Sequence, residues 1–294
     1  MFVKDNSLQS LKEYFNKRLA SLYEYNAIRQ FVKAAVCTRM NIDQSDWILQ
    51  SDLQFSESDL LYFRSLVKRL QSGEPMQYVL GEVEFYGLRL SVDERALIPR
   101  PETEELVDWV CSSMEAGANS RVIDLCAGSG CIALALASQM SKARVTAVEL
   151  SPEAVELIKE NAQKCNLEIE IANWDVLDAG NYSSLSEVDT IVSNPPYVME
   201  KDKLEMEEMV LDHEPHMALF VEDSDPLLFY REIGKNAIAV LKNEGFVFFE
   251  IHESYGKDLI TLLQELGFVN IDLRKDLQGK DRMIRAQKLV SHHE

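Results

Sequence analysis

The sequence has no apolar run approaching the ~18 residues of a membrane-spanning helix. Its first residues, Met1-Phe2-Val3-Lys4-Asp5, lack the apolar core of a secretory signal, so a cytoplasmic protein with no membrane partner is expected. Cysteine is scarce. The five thiols (Cys37, Cys111, Cys126, Cys131 and Cys165) are odd in number and form no C-x-x-C pair, which argues against a disulfide framework or a cysteine zinc site. His213-Glu214-Pro215-His216 superficially resembles a metal pair, but Pro215 denies it the geometry of a zinc helix, and loop histidines are expected. Positive charge is short as well: 30 Lys and Arg face 49 Asp and Glu, a formal charge of −19. Such a surface repels a phosphate backbone and weighs mildly against nucleic acid as the main partner, although solubility alone accounts for most of the excess carboxylates. Internal repeats and low-complexity runs are absent too.

What is present is enough for two domains, with 294 residues of which 46% are hydrophobic. Leu8, Leu11, Phe15, Leu19 and Leu22 recur at helical spacing, and Ile28, Phe31, Val32 and Ala35 continue the pattern in a second segment. Ser56, followed by Asp59 and then Leu60, Phe63, Leu66, Val67 and Leu70, predicts a capped third helix that Gly73 and Pro75 end. Residues 1–73 therefore read as a small N-terminal helical domain. Val83, Phe85, Leu88, Leu90 and Val92 alternate around Tyr86-Gly87, which predicts a β-hairpin within a connector at 74–100. Residues 101–294 start with a helix from about 102 to 116 and then alternate strand and helix. That order specifies a doubly wound, mostly parallel α/β sheet.

Asp124-Leu125-Cys126-Ala127-Gly128-Ser129-Gly130 stands where the first strand of this region hands over to its helix. Gly128 and Gly130 let the backbone approach a ligand, and a helix start favours an electronegative group. The G-x-G-x-x-G spacing of a dinucleotide site is missing, which disfavours a hydride-transferring dehydrogenase. By itself the loop reads equally well as a tight strand-to-helix turn. Glu149 tips the balance, because a carboxylate ending the next strand, roughly 20 positions on, can accept hydrogen bonds from both hydroxyls of a ribose. Asp175 is placed to take an adenine amino group and Trp174 to flank the ring, with plain core packing as the alternative for Trp174.

Ser193-Asn194-Pro195-Pro196-Tyr197 ends the fourth strand. An amide or aromatic-amine nitrogen is a poor nucleophile because its lone pair is delocalised. A site that methylates it must hold both N–H groups so that the nitrogen faces the methyl donor. The Asn194 side-chain oxygen and the Pro195 carbonyl are two suitable acceptors, the prolines fix the backbone that aims them, and Tyr197 offers a flat face for stacking. Positioning then supplies the rate. A proline-rich strand terminator is the competing reading, and the combination Asn-Pro-Pro-Tyr after such a strand disfavours it.

The chain as a whole resembles the HemK/PrmC family of release-factor glutamine methyltransferases. The likeness runs from about residue 74 to 287, through Glu74-Pro75-Met76-Gln77-Tyr78, Phe85-Tyr86-Gly87, Ile98-Pro99-Arg100-Pro101-Glu102-Thr103-Glu104, the loop at 124–130 and Asn194–Tyr197. It implies a class I S-adenosylmethionine (SAM)-dependent methyltransferase with a Rossmann-like, seven-stranded sheet whose final strand is antiparallel. SAM is implied at Asp124, Cys126, Ala127, Gly128, Ser129, Gly130, Glu149, Trp174, Asp175 and Asn194. Asn194, Pro195, Pro196 and Tyr197 are implied to hold the glutamine of the GGQ motif in class I release factors, with the helical domain helping to dock that protein.

Two departures stand out. Cys126 replaces the first glycine of the family loop, so its backbone is expected to avoid a glycine-only conformation. Glu149 replaces the more usual Asp and reaches further. The tetrapeptide is shared with adenine and guanine N-methyltransferases, but a nucleic-acid enzyme should carry a target-recognition domain and a basic groove. A ribosomal-protein glutamine methyltransferase would differ after the proline-arginine pair, and a non-catalytic SAM scaffold would not need the tetrapeptide. Glu250, ending the fifth strand, is expected to be structural rather than pocket-lining. The acidic stretch from Glu200 to Glu214 reads as a solvated lid, with docking of basic substrate residues at Glu205, Glu207 and Glu208 as the sharper alternative.

Overall fold

A computed structural model describes residues 3–50, 52–114, 119–185, 187–206 and 208–289. The chain divides into two compact units, Met1–Glu82 and Val83–Glu294. Among the described residues no helix is long and apolar enough to cross a membrane.

The first unit is built from helices α1 (Leu8–Leu19), α2 (Tyr25–Met40), α3 (Glu57–Gln71) and α4 (Met76–Leu80). The caps explain where they start. Ser7 Oγ accepts the Ser10 N–H at the head of α1. At α3, Ser56 Oγ accepts the Asp59 N–H at 3.2 Å while the Asp59 carboxylate accepts the Ser56 N–H at 3.0 Å. Asp thus closes the reciprocal box that Glu or Gln usually closes, an arrangement worth about 1 kcal/mol. The apolar stripes meet in one core that includes Leu11, Phe15, Val32, Val36, Phe63 and Val67. Leu22 is a correction to the predicted stripe: it lies beyond the end of α1 and is 56% exposed.

The second unit opens within β1 (Glu82–Phe85), which forms the hairpin with β2 (Leu88–Ser91). Its turn residues Tyr86 and Gly87 both have positive φ, 48° and 77°, the combination that a two-residue turn needs to match strand twist. Tyr86 is not a residue that adopts this freely, and its N–H is held by the Glu104 carboxylate at 2.7 Å. Then follow α5 (Pro101–Ser113), β3 (Arg121–Leu125), α6 (Cys131–Gln139), β4 (Arg144–Glu149), α7 (Pro152–Cys165) and β5 (Glu170–Asn173). The second half runs β6 (Val188–Ser193), β7 (Val198–Met199), α8 (Glu208–His213), α9 (His216–Leu219), β8 (Phe220–Val221), α10 (Leu228–Val240) and β9 (Leu241–Glu250). It closes with α11 (Gly256–Glu265), β10 (Phe268–Lys275) and β11 (Asp281–Lys288). Proline at the first turn of α5 and α7 supplies a preset φ where no N–H partner is needed. The last residues predicted for α5, 115 and 116, lie outside the described residues.

The main sheet has seven strands in the order β10-β11-β9-β6-β3-β4-β5. The pairs β9–β6, β6–β3, β3–β4 and β4–β5 are parallel, and β11 runs antiparallel to both of its neighbours. Central strands are buried on both faces, as Val122 to Leu125 of β3 are, because helices cover both sides of the sheet. The chain moves from β3 outward to β4 and β5, then returns to β6 on the other side. The crevice between the C-terminal ends of β3 and β6 is therefore the topological switch point, where ligands of such sheets bind.

Asn161, fully buried on α7, ties the hairpin to that crevice. Its Oδ1 accepts the Ser91 N–H at 2.7 Å, and its Nδ2 donates to the carbonyls of Ser91 at 3.1 Å and Ser129 at 3.0 Å. Asn161→Leu keeps the volume and strips these bonds from buried backbone groups. A loss of about 3 kcal/mol is expected, read as a lower urea midpoint at unchanged m-value.

Candidate active site

Five strand ends deliver side chains to the switch point: Cys126 after β3, Glu149 on β4, Asp175 after β5, Asn194 after β6 and Glu250 on β9. A cavity opens there, lined among others by Ile98, Gly128, Glu149, Asp175, Asn194 and Phe229. Cys126, Ala127, Ser129 and Pro196 also line it, whereas Asp124, Gly130, Trp174, Pro195 and Tyr197 are not among its lining residues.

The loop from Cys126 to Gly130 is pinned to its neighbours. The Ala127 N–H donates to the Val148 carbonyl of β4, and the Gly130 N–H to the Ala127 carbonyl at 2.8 Å. Gly130 sits at φ 80°, and a Cβ there would stand 3.0 Å from Ile158 Cγ2, so both its backbone and its packing require glycine. Cys126 overturns the expectation that a non-glycine residue avoids the left-handed region: its φ is 61°. The sharp turn out of β3 imposes that conformation, at a cost of about 1–2 kcal/mol. The half-buried thiol packs against the core and hydrogen-bonds with Ser193, whose own hydroxyl donates to the Leu125 carbonyl at 2.7 Å. Burial first, and then the Glu149 charge, pushes the thiol pKa up, so the thiol stays protonated. Cys126→Gly is expected to leave stability within about 1 kcal/mol of the wild type. Cys126→Val, β-branched at positive φ, should cost about 2 kcal/mol, and thermal unfolding of the two variants checks this.

Glu149 spans the loop and the head of α7. Its Oε2 accepts the Gly128 N–H at 2.8 Å, and its Oε1 accepts the Ser151 N–H at 2.9 Å. Each oxygen keeps a second lone pair for a ligand hydroxyl. Asp175 uses Oδ1 to accept the Leu177 N–H at 2.8 Å and lines the cavity wall beside Val176. Two carboxylates facing apolar walls fit a nucleoside bearing a ribose diol and an amino-substituted ring. Trp174 stands off the cavity, its ring edge-to-face with Tyr182 at 5.1 Å against the core. Asp124 is fully buried, and its Oδ2 accepts the Ala133 N–H at 3.0 Å in the first turn of α6. Desolvation raises the pKa of this carboxyl, which lies beneath the loop and does not line the cavity.

Asn194 is half-buried and Pro195 and Pro196 are buried. Asn194 Nδ2 lies 3.4 Å from Thr103 Oγ1, Thr103 donates to Glu250 Oε2 at 2.6 Å, and the Tyr197 hydroxyl donates to Glu250 Oε1 at 3.2 Å. Glu250 is 1% exposed and does not line the cavity, in line with the structural expectation, but it bonds to the candidate catalytic segment itself. Burial raises its pKa, while Thr103, Arg282 and Tyr197 act against that rise. Burial, reinforced by the Glu250 charge, raises the Tyr197 pKa well above that of a free phenol, so Tyr197 stays protonated.

The acidic stretch holds a second surprise. Glu214, read as part of a solvated lid, is 4% exposed. Its carboxylate accepts from Arg100 at 2.6 Å and from the Ile98 N–H at 3.3 Å. It thereby ties the segment ending in Pro215, Met217 and Ala218, which lines the cavity, to the Ile98–Glu104 signature. Glu207 and the side chains of Glu205 and Glu208 lie outside the described residues. Sequence reasoning passed over Thr103, Asn161 and Glu214 as site-forming residues. Thr103 and Glu214 sit inside motifs already singled out, which was the available signal; Asn161 carries none.

The family model of the methyltransferase small domain matches residues 107–217, and that of the PrmC N-terminal domain matches residues 11–81. The chain is 38% identical to the release factor glutamine methyltransferase of Flavobacterium psychrophilum, an alignment that covers 95% of this chain and 98% of that one. It is 35% identical to the enzyme of the same name from Bacteroides thetaiotaomicron, covering 96% of this chain and 100% of that one. Among solved structures, a SAM-dependent O-methyltransferase from Thermotoga maritima aligns with a TM-score of 0.50 at 18% identity, over 68% of this chain and 69% of that one. That likeness shows the fold alone, a methyltransferase sheet. With two family models and end-to-end identity above one third, the chain belongs to the release factor glutamine methyltransferase family.

Proposed function

We propose that this protein transfers a methyl group from S-adenosyl-L-methionine to the side-chain amide nitrogen of the glutamine in the GGQ motif of class I peptide chain release factors, leaving S-adenosyl-L-homocysteine. The observation that carries this reading is the convergence of Asn194 and Glu149 on one switch-point cavity, in a chain of this family. Bound SAM supplies a sulfonium-activated methyl, the electrophile that a weak amide nucleophile needs. Glu149 would accept hydrogen bonds from the ribose hydroxyls and Asp175 one from the amino group of the ring, and the loop at Cys126–Gly130 would bring its backbone close. Asn194 Oδ1 and the Pro195 carbonyl accept the two amide N–H groups, which turns the nitrogen lone pair toward the methyl. Tyr197 offers its ring to the planar amide. Its hydroxyl is committed to Glu250 and protonated, so it is not a general base. Rate comes from orientation and from acceptors that strengthen as positive charge grows on the nitrogen, which sheds one of its two N–H protons to water once the methyl is on it.

The test is methyl transfer from labelled SAM to purified unmethylated release factor, beside a GGQ-to-GGA variant and bulk DNA and RNA. Label in the wild-type factor alone is expected. Label in nucleic acid would overturn the substrate and keep the reading of the tetrapeptide. A net charge of −19 favours the protein substrate.

A further inference from the structure

Asn194 has a side chain whose two ends are nearly the same shape, and its usefulness as an acceptor depends on which end faces the cavity. Nothing in the tetrapeptide sets that choice. The surroundings do. Glu250, 1% exposed, is bonded by two hydroxyls, Thr103 at 2.6 Å and Tyr197 at 3.2 Å. In its ionised form, which Thr103, Arg282 and Tyr197 favour against the effect of burial, Glu250 has no hydrogen to give, so each hydroxyl must donate to it. Thr103 has a single hydrogen, and the short contact to Glu250 uses it. Only lone pairs of Thr103 Oγ1 remain for the Asn194 amide 3.4 Å away, so the atom facing Thr103 must be the Nδ2 donor. The Oδ1 acceptor is then the end left for the substrate.

We infer that Thr103 and Glu250 are positioning residues that set the polarity of Asn194, through the relay from Asn194 Nδ2 to Thr103 Oγ1 to Glu250, so that its amide oxygen is presented to the N–H of the incoming glutamine. The same carboxylate restrains Tyr197, so one buried group orients both ends of the tetrapeptide. The three residues come from α5, β9 and the end of β6, with 147 residues separating Thr103 from Glu250. Freed from Thr103, the amide can present either end, and the turned form offers the substrate N–H a donor instead of an acceptor. The inference rests on the proposed role of Asn194 as the amide acceptor.

The experiment compares Thr103→Val, which keeps the shape and removes the hydroxyl, with Thr103→Ser, which keeps the hydroxyl. Glu250→Gln is the third variant, and all are assayed on intact protein with SAM and release factor. For Thr103→Val, kcat should fall about 10- to 100-fold with the SAM dissociation constant within about threefold of the wild type. Thr103→Ser should recover to within about threefold of the wild-type kcat. Glu250→Gln replaces one of the two acceptor oxygens by a donor NH2, so only one of Thr103 and Tyr197 can still donate to it, and kcat should fall between the serine and valine values. In an Asn194→Ala background Thr103→Val should add no further loss, because a residue that acts through Asn194 has nothing left to orient. If valine is not accommodated, Thr103→Ala carries the same comparison. Three results overturn the inference: wild-type kcat in Thr103→Val, a loss confined to SAM affinity, or a serine variant as impaired as valine. If Asn194→Ala itself remains active, the acceptor role of Asn194 fails. An inactive Asn194→Ala with an undiminished Thr103→Val sinks the relay alone.

Discussion

Asn194→Ala is expected to lower kcat by about 10²–10³-fold, or roughly 3–4 kcal/mol of transition-state stabilisation, while SAM affinity stays within about threefold. The size follows from what the side chain does. One of the two acceptors that hold the amide is removed from a site whose prolines cannot rearrange to replace it, and the cost appears where charge develops on the nitrogen. SAM affinity should be spared because the proposed ribose and ring contacts are those of Glu149 and Asp175, at the ends of other strands. Fold stability should change little, since Asn194 makes one long hydrogen bond, 3.4 Å, to Thr103. Single-turnover transfer with pre-bound labelled SAM separates the chemical step from binding. Full activity in this variant would remove the mechanism proposed above.

Glu149→Ala should show the reverse pattern, weakening SAM binding by about 100-fold with a smaller effect on the chemical step at saturation. Two charge-assisted hydrogen bonds to ribose hydroxyls are lost, each worth about 1.5–3 kcal/mol before compensation by water. The variant also releases the Gly128 and Ser151 N–H groups, held now at 2.8 and 2.9 Å, so the loop loses one of its restraints. Glu149→Asp keeps the charge but shortens the side chain by one methylene, which should relax both backbone bonds and give an intermediate affinity. Calorimetric titration with SAM measures all three proteins. Unchanged affinity in Glu149→Ala would move the ribose elsewhere in the cavity.

Much of the fold was readable because it rests on local chemistry. Proline at the first turn placed the starts of α5 and α7, and Ser56 with Asp59 placed that of α3. Alternation of apolar runs with helical stripes specified a doubly wound sheet. The residues around the cavity were readable for a related reason: parallel strands have their carboxyl ends on one edge, so Cys126, Glu149, Asp175 and Asn194 converge without any knowledge of the packing. The misreadings share a cause. Leu22 continued the period of α1, but the helix had already ended at Leu19. Cys126 was expected to avoid the left-handed region, yet the turn out of β3 set its φ at 61°. Glu214 was counted with its acidic neighbours, although 114 residues upstream Arg100 waits to pair with it in a buried position.

By itself, then, the sequence determined the class of sheet, the edge on which the site lies and the chemical groups brought there, because short-range propensity and strand direction are written in adjacent residues. Only the tertiary structure decided which polar groups are buried, and therefore which must find a partner. Asn161 holds Ser91 from 70 residues away, and Glu250 holds Thr103 from 147. A carboxylate or amide in a chain is indifferent to its neighbours until water is removed from it. Once it is buried, an unmet hydrogen bond costs more than the chain can spare, and the partners that meet it fix the geometry of the site.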